Sequence, residues 1–357
     1  MRLLASFDRY PDSVCLNLEP IASDAREFEL YLTLHLQSHS LPLLDGKITW
    51  GLKGGILDAV AGGCSIAPIG GERLDFRVSR VEVPDGYRWR LALKSPGTIF
   101  TGSIERIKLG SIEVKEEPYH LLARFSATPA DISIVETEKL WRHDISPNKH
   151  AILERKLAFF LVETRLNPYL SYLSLGSGDV EIDKTATEPK DEEPAILARL
   201  KEDIERVYTA DTDNFLELAR WMDLDPLVDL AGADLLATEL SGVSLGGADL
   251  DRVNFRGANL TDADLSESIA VHANFKGADL SGALLGNADL KYADFYRASL
   301  ALSNLIGSDL EGANLVEANL SRANLSGARV FGARFGDNEG MTDELRESLL
   351  DRGAVFE

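Results

Sequence analysis

The densest run of residue types able to do chemistry is GLKGGILDAVAGGCSIAPIGG, residues 51 to 71, with seven glycines and Cys64. A glycine-rich loop can cradle a phosphate, but that chemistry wants GxxxxGK[ST], with the lysine on the phosphates and the hydroxyl on Mg²⁺. Lys53 precedes most of these glycines instead of following them, and GxGxxG is absent. The stretch reads as a loop with bulges in a β domain, with a ligand-binding loop as the alternative. A nucleophilic Cys64 would need a histidine base and an orienting group. His35, His39 and His120 lie in or beside expected strands, but no local motif joins them to the cysteine. His143, His150 and His272 are scattered, and neither HExxH nor CxxC occurs, so the spacing supports no metal site. Carboxylates such as Asp264, Asp279 and Asp294 each precede a large apolar residue. A short polar side chain there can bond the turn backbone. No catalytic, cofactor-binding or metal-ligating set emerges, and no cofactor is expected.

The elements that position these carboxylates follow a beat of five. From Leu230 a large apolar residue recurs every fifth position to Phe335, 22 positions without an insertion, with Ala270 the one weak member. Two residues before each sits a small side chain, as at Ala233, Ala258, Ala293 and Ser303. Five matches neither the 3.6 of a helix nor the 2 of a strand. Glycine and asparagine recur where the chain must turn. The consistent solution is a solenoid in which each unit forms one side of a square coil. Four units close a coil of 20 residues, and coils stack at roughly 4.8 Å, the strand spacing. Phe255, Phe275 and Phe295 are 20 apart, so they stack inside the rod, with Leu315 and Phe335 continuing the column. Ala270 shares a column with Leu250 and Leu290 and leaves its coil less well filled.

ADLSGALLGNADLKYADF and EGANLVEANLSRANLSGARVFGARF follow the A(D/N)LXX pattern, and residues 228–336 resemble the pentapeptide-repeat family. The resemblance implies a right-handed quadrilateral β-helix. Most members of the family have no known activity. A few resemble B-form DNA in shape and charge and protect or inhibit DNA gyrase, typically as dimers with longer rods. Here the stretch from Asp229 to Arg334 has 14 acidic and 8 basic residues. Arg252, Arg256, Lys276, Lys291 and Arg297 interrupt its acids.

Both ends of a coil stack expose open backbone edges that invite aggregation unless covered. MTDELRESLLDRGAVF reads as a C-terminal helical cap over 337–357, with Thr342 as helix cap, Gly353 as stop, and Val355 and Phe356 tucked onto the last coil. The same helix can serve instead as a homodimer interface. Residues 195–227 read as two helices, with Asp213 expected to cap the second. This lead-in resembles those before other bacterial, often cyanobacterial, pentapeptide rods and is expected to cover the N-terminal edge.

Residues 1–173 have another texture. FELYLTLHL alternates apolar and polar side chains, the mark of a half-buried strand. LDFRVSRVEV and YRWRLALK alternate about a PDG turn at Pro84 to Gly86. GSIERIKLGSIEV, HLLARFSA and DISIVE add strands. An antiparallel sandwich or curled sheet is expected, followed by a helix that Ser146 caps and Pro147 opens. Its face of Leu153, Leu157, Phe160 and Leu161 is expected to pack on the sheet. The acidic, turn-rich residues 174–194 read as a flexible linker.

The whole is therefore mainly β. The net charge of −21 argues against a direct grip on nucleic acid or an anionic membrane. Neither a signal peptide nor a membrane span is evident, so a cytoplasmic location is expected. Three functions fit. The first is a non-enzymatic interaction scaffold with an unidentified protein partner. The second is a DNA mimic acting on a topoisomerase such as gyrase. The third is an enzymatic or ligand-binding activity in the N-terminal β domain. On the scaffold reading, the candidate contact patch is Lys291, Tyr292, Tyr296, Arg297, Ala301, Leu302 and Ile306, whose side chains the repeat itself does not require.

Overall fold

The computed structural model describes residues 1–73, 76–93, 99–141, 144–177 and 193–357. Residues 178–192, the body of the expected linker, lie outside them. The chain divides into two compact units. One is drawn from the described parts of 1–94, 98–140 and 158–200, the other from those of 141–157 and 201–357.

The first unit is antiparallel β. Its strands are β1 (Arg2–Asp8), β2 (Val14–Ala22), β3 (Glu27–Leu36), β4 (His39–Leu43), β5 (Gly46–Leu52), β6 (Gly54–Gly62), β7 (Cys64–Pro68), β8 (Gly71–Arg73), β9 (Phe76–Val81), β10 (Tyr87–Leu93), β11 (Gly102–Val114), β12 (His120–Ser126), β13 (Ile132–Glu138) and β14 (Ser171–Gly176). They form sheets ordered β1-β14-β12-β6-β10-β9-β8, β2-β3-β11-β7 and β13-β5-β4. The alternation in β3 buries Leu30, Leu32, Leu34 and Leu36 and leaves Glu29, Tyr31, Thr33 and His35 on the other face, as period two requires.

The glycine-rich run is not a loop. It is β5, β6 and β7 in succession, passing through all three sheets with single-residue breaks at Lys53 and Gly63. A Cβ on Gly55 would lie 2.4 Å from the Phe125 ring, and one on Gly62 would lie 2.2 Å from the His120 ring. Close approach of side chains from β12, the neighbouring strand of the same sheet, explains these glycines. The segment is packed against side chains, which weighs against a phosphate-binding loop. Cys64 donates its thiol to the carbonyl oxygen of His120 (3.4 Å), not to an imidazole. Burial pushes its pKa up, the opposite of an activated thiolate.

In the second unit, parallel bridges pair residue i with i+20, from Asp234↔Asn254 to Asn319↔Glu339. One coil is thus 20 residues, or four repeat units. The large residues face inward: Phe255, Phe275, Phe295, Leu315 and Phe335 are fully buried. Phe255 and Phe275 stack at 5.1 Å and Phe275 and Phe295 at 4.7 Å. Ala270 is buried as well. The carboxylates preceding the large residues serve the turns. Asp264, Asp279 and Asp294 accept from the N–H groups of Ser266, Ser281 and Tyr296 at 3.0, 3.0 and 3.1 Å.

The α-helices among the described residues are α1 (Pro147–Leu161), α2 (Glu193–Tyr208), α3 (Phe215–Trp221) and α4 (Asp343–Asp351). None of the described helices is long and apolar enough to cross a membrane. Thr342 caps α4 by accepting from Leu345 N–H at 3.2 Å. Val355–Phe356 pairs in parallel with Arg334–Phe335, and Phe356 stacks on Phe335 at 5.5 Å. Two sequence expectations need correction. Asn214, not Asp213, caps α3, accepting from Glu217 N–H at 3.0 Å; Asp213 takes the Ser146 hydroxyl instead. Packing on a sheet does not describe the first turns of α1 either. Residues up to Leu157 belong to the second unit and bond to the segment leading into the repeats. Lys149 donates to the Ala210 carbonyl at 2.6 Å and Lys156 to the Met222 carbonyl at 2.8 Å. Those carbonyls lie just past the C-terminal ends of α2 and α3, where the helix dipole favours a cation. Arg155 donates to the Asp229 carbonyl.

Candidate protein-contact surface

Every repeat unit ends in the same turn. The N–H of Ala293 donates to the carbonyl of Leu290 at 3.1 Å, and that of Ala298 to Phe295 at 2.9 Å. The residue two past each large one has positive φ at all 22 units from Gly232 to Asp337. That combination is a type II turn, which glycine enters freely. Any other residue there bears roughly 1–2 kcal/mol of left-handed strain. Tyr292, Arg297 and Leu302 occupy such positions at φ 58°, 58° and 62°. Their side chains stand at coil corners, with 43% of Tyr292 and 62% of Leu302 exposed.

The bridges decide which residues meet. Tyr292 stacks on His272 one coil below, with ring centroids 5.0 Å apart and 18° between planes. Tyr296 donates to Glu317 at 2.7 Å, and Arg297 Nε donates to the same carboxylate at 2.6 Å. These two donors, Arg297 first, hold the Glu317 carboxyl below the usual carboxylate range. Arg297 also lies over the Tyr296 ring, 4.9 Å from its centroid. Lys291 spans Asp289 at 2.8 Å and Asp309 at 3.1 Å, and the Asp289 bond leads in raising its pKa.

The seven residues read as one patch do not share a side. Lys291, Tyr292, Tyr296 and Arg297 flank the strand position of Asp294, in line with Asn274 and Asn314. Leu302 and Ile306 flank Asn304, which bridges Leu284 and Asn324. That is two of the four units further round, on the far side of the coil, and Ala301 stands at the Leu302 corner. A chain that turns a corner every five residues disperses a 16-residue segment around its circumference.

Sequence reading missed the residues of α1 that reach the rod. Asn148 Nδ2 donates to the carbonyls of Asp213 and Glu239, both at 2.9 Å, and its Oδ1 accepts from Glu239 N–H at 2.8 Å. Its amide thus takes the place of a missing strand at the open edge of the first coil. Nothing in the local sequence signals this, because partner and donor are 91 residues apart.

A coil stack paired at i+20, with a small and a large residue inward in each five-residue unit, defines a repeat protein of stacked pentapeptides. A family model for pentapeptide repeats matches residues 229–267, 271–305 and 298–337, in 8 copies. Residues 229–337 are pentapeptide repeats of that family. Similar solved structures include a pentapeptide repeat protein from the thylakoid lumen of Arabidopsis thaliana, 31% identical over 34% of this chain and 78% of that one, with a TM-score of 0.21. Another is Rfr23 from the cyanobacterium Cyanothece, 26% identical over 35% and 91%, TM-score 0.19. A third is QnrB1, a plasmid-mediated fluoroquinolone resistance protein, 18% identical over 30% and 63%, TM-score 0.20. Comparison with curated proteins yields no match.

Proposed function

We propose that this protein is a non-enzymatic scaffold for protein–protein interaction. Residues 228–336 form a right-handed quadrilateral β-helix, capped by helices at 195–227 and 337–357, and the rod presents its corners to a protein partner. The observation that carries this reading is the turn geometry. Tyr292 and Leu302 are exposed in left-handed backbone where glycine would be free of strain. Strained, exposed apolar residues point to a use outside folding. The test is a quantitative binding measurement with the immobilised full-length protein and candidate partners identified by crosslinking. A saturable partner whose capture weakens in Tyr292→Gly or Leu302→Gly supports the scaffold; full capture by both variants refutes the assignment.

Exposed Phe331, Leu350 and Val355 near the C-terminal end favour a homodimer through the C-terminal helix as one form of this interaction. Sedimentation of Leu350→Glu against the parent protein checks it. The acid excess of the rod favours a second reading, mimicry of DNA toward a topoisomerase such as gyrase. Absence of any effect on gyrase supercoiling would remove it.

A further inference from the structure

The rod's outward residues are not distributed evenly among its four sides. The side through Asn254, Asn274, Asp294 and Asn314, with its two corners, comprises residues 231–237, 251–257, 271–277, 291–297, 311–317 and 331–337. The outward aromatic residues of the rod, Tyr292, Tyr296 and Phe331, fall within these ranges; the other four phenylalanines there form the buried inward column. Six of the eight cations between Asp229 and Arg334 fall within them too, against five of the fourteen acids. The other three sides carry two cations and nine acids. A molecule with net charge −21 therefore carries a cationic stretch on one side of its rod: residues 251–257, 271–277 and 291–297 hold five cations, one of them the buried Arg252, against Asp251 and Asp294.

We infer that this side is a docking surface for a short, carboxylate-rich segment of a partner protein. The inference rests on the scaffold reading and names the partner's chemistry. The Arg256 guanidinium is exposed and makes no ion pair among the described residues. Lys276 lies one coil above it and holds Asp294 at 2.9 Å with 46% of its side chain exposed. Arg297, two coils above, holds Glu317 with 64% of its side chain exposed. Ion pairs this exposed hold weakly and exchange readily for an incoming carboxylate. Tyr292 and Tyr296 add aromatic faces beside the cations, which suits contact with an ordered peptide.

The ends of the patch limit the partner. Asp234 stands on this side one coil below Asn254, and Glu311 and Glu317 stand one coil above Asp294. The cationic stretch therefore spans two to three coil spacings, roughly 10–15 Å at the strand spacing. A few carboxylates fit that length. A continuous phosphate backbone would run on into the flanking acids, so a nucleic acid is disfavoured. The three acidic sides repel the same partner and so orient its approach, within a screening length of about 8 Å at physiological salt.

The test uses the full chain and a labelled twelve-residue peptide carrying four glutamates, read by fluorescence anisotropy at low and high salt. Controls are the glutamine version of the peptide and a twelve-nucleotide oligothymidylate. Two double variants change the net charge equally: Arg256→Glu with Lys276→Glu on this side, and Arg322→Glu with Arg329→Glu elsewhere. The glutamate peptide should bind at low salt, and the first variant should weaken it at least tenfold while the second changes it less than twofold. Equal loss in both variants, no binding at low salt, or tighter binding of the oligothymidylate would overturn the inference. A partner still captured by the first variant would leave the scaffold role standing and remove this side as its site.

Discussion

Replacing Asn148 tests whether a single side chain closes the N-terminal edge of the rod. Its amide is 2% exposed and makes three hydrogen bonds, to Glu239 N–H, the Glu239 carbonyl and the Asp213 carbonyl. Asn148→Ala leaves one donor and two acceptors without these partners. Each unsatisfied buried polar group costs about 1–3 kcal/mol, less where water enters, so a loss of about 3 kcal/mol is expected. For a unit of this size that lowers the unfolding midpoint by roughly 6–12 °C. Asn148→Asp keeps the shape but sets a carboxylate against two carbonyl oxygens. It should destabilise more than alanine at neutral pH and recover part of the difference in acid, as the protonated carboxyl regains a donor. Thermal unfolding by circular dichroism measures both. Hydrogen exchange adds a local reading, with protection at Glu239 falling before that at Asn274. An alanine variant within 0.5 kcal/mol of the parent, or an aspartate variant no worse than alanine at neutral pH, would refute the edge-closing role.

Three further outcomes are expected. Phe275→Ala removes the middle ring of the stack and should cost about 3–5 kcal/mol in urea unfolding. Phe275→Leu, which keeps most of the volume and matches the leucines of the same beat, should cost less than half of that. Gly257→Ala should cost about 1 kcal/mol, because φ is +65° and a Cβ there meets nothing within 4 Å, leaving only left-handed strain; Leu302→Gly should be neutral or stabilising by comparison. Glu317 has a depressed pKa in the fold. Its contribution is present at neutral pH and lost as pH falls through the folded value. The unfolding midpoint of the parent should therefore drop more steeply in acid than that of Glu317→Gln, and parallel curves would show the opposite.

The repeat was legible because its side-chain requirements are local. A small residue two before a large one states the inward pair within five residues, and glycine at ten of the 22 positions two after it marks the left-handed turn. The same locality made the turn-bonding role of Asp264, Asp279 and Asp294 readable. The glycine-rich stretch was misread as a loop. Its glycines answer to Phe125 and His120, which arrive from a strand more than 50 residues away. The patch was misread in extent: adjacency along the chain is not adjacency around a coil.

What the sequence determined by itself is the rod: its period, its buried column of Phe255, Phe275 and Phe295, its turns and the Thr342 cap. Each follows from residue types a few positions apart, repeated until only one geometry satisfies them all. What only tertiary structure decided is the order of three sheets in the first unit, and the use of α1 to cover the rod's first coil. Both depend on which distant edge a strand or an amide meets. Backbone hydrogen bonds accept any residue type, so the pairing of Asn148 with Glu239 leaves no mark in either local sequence.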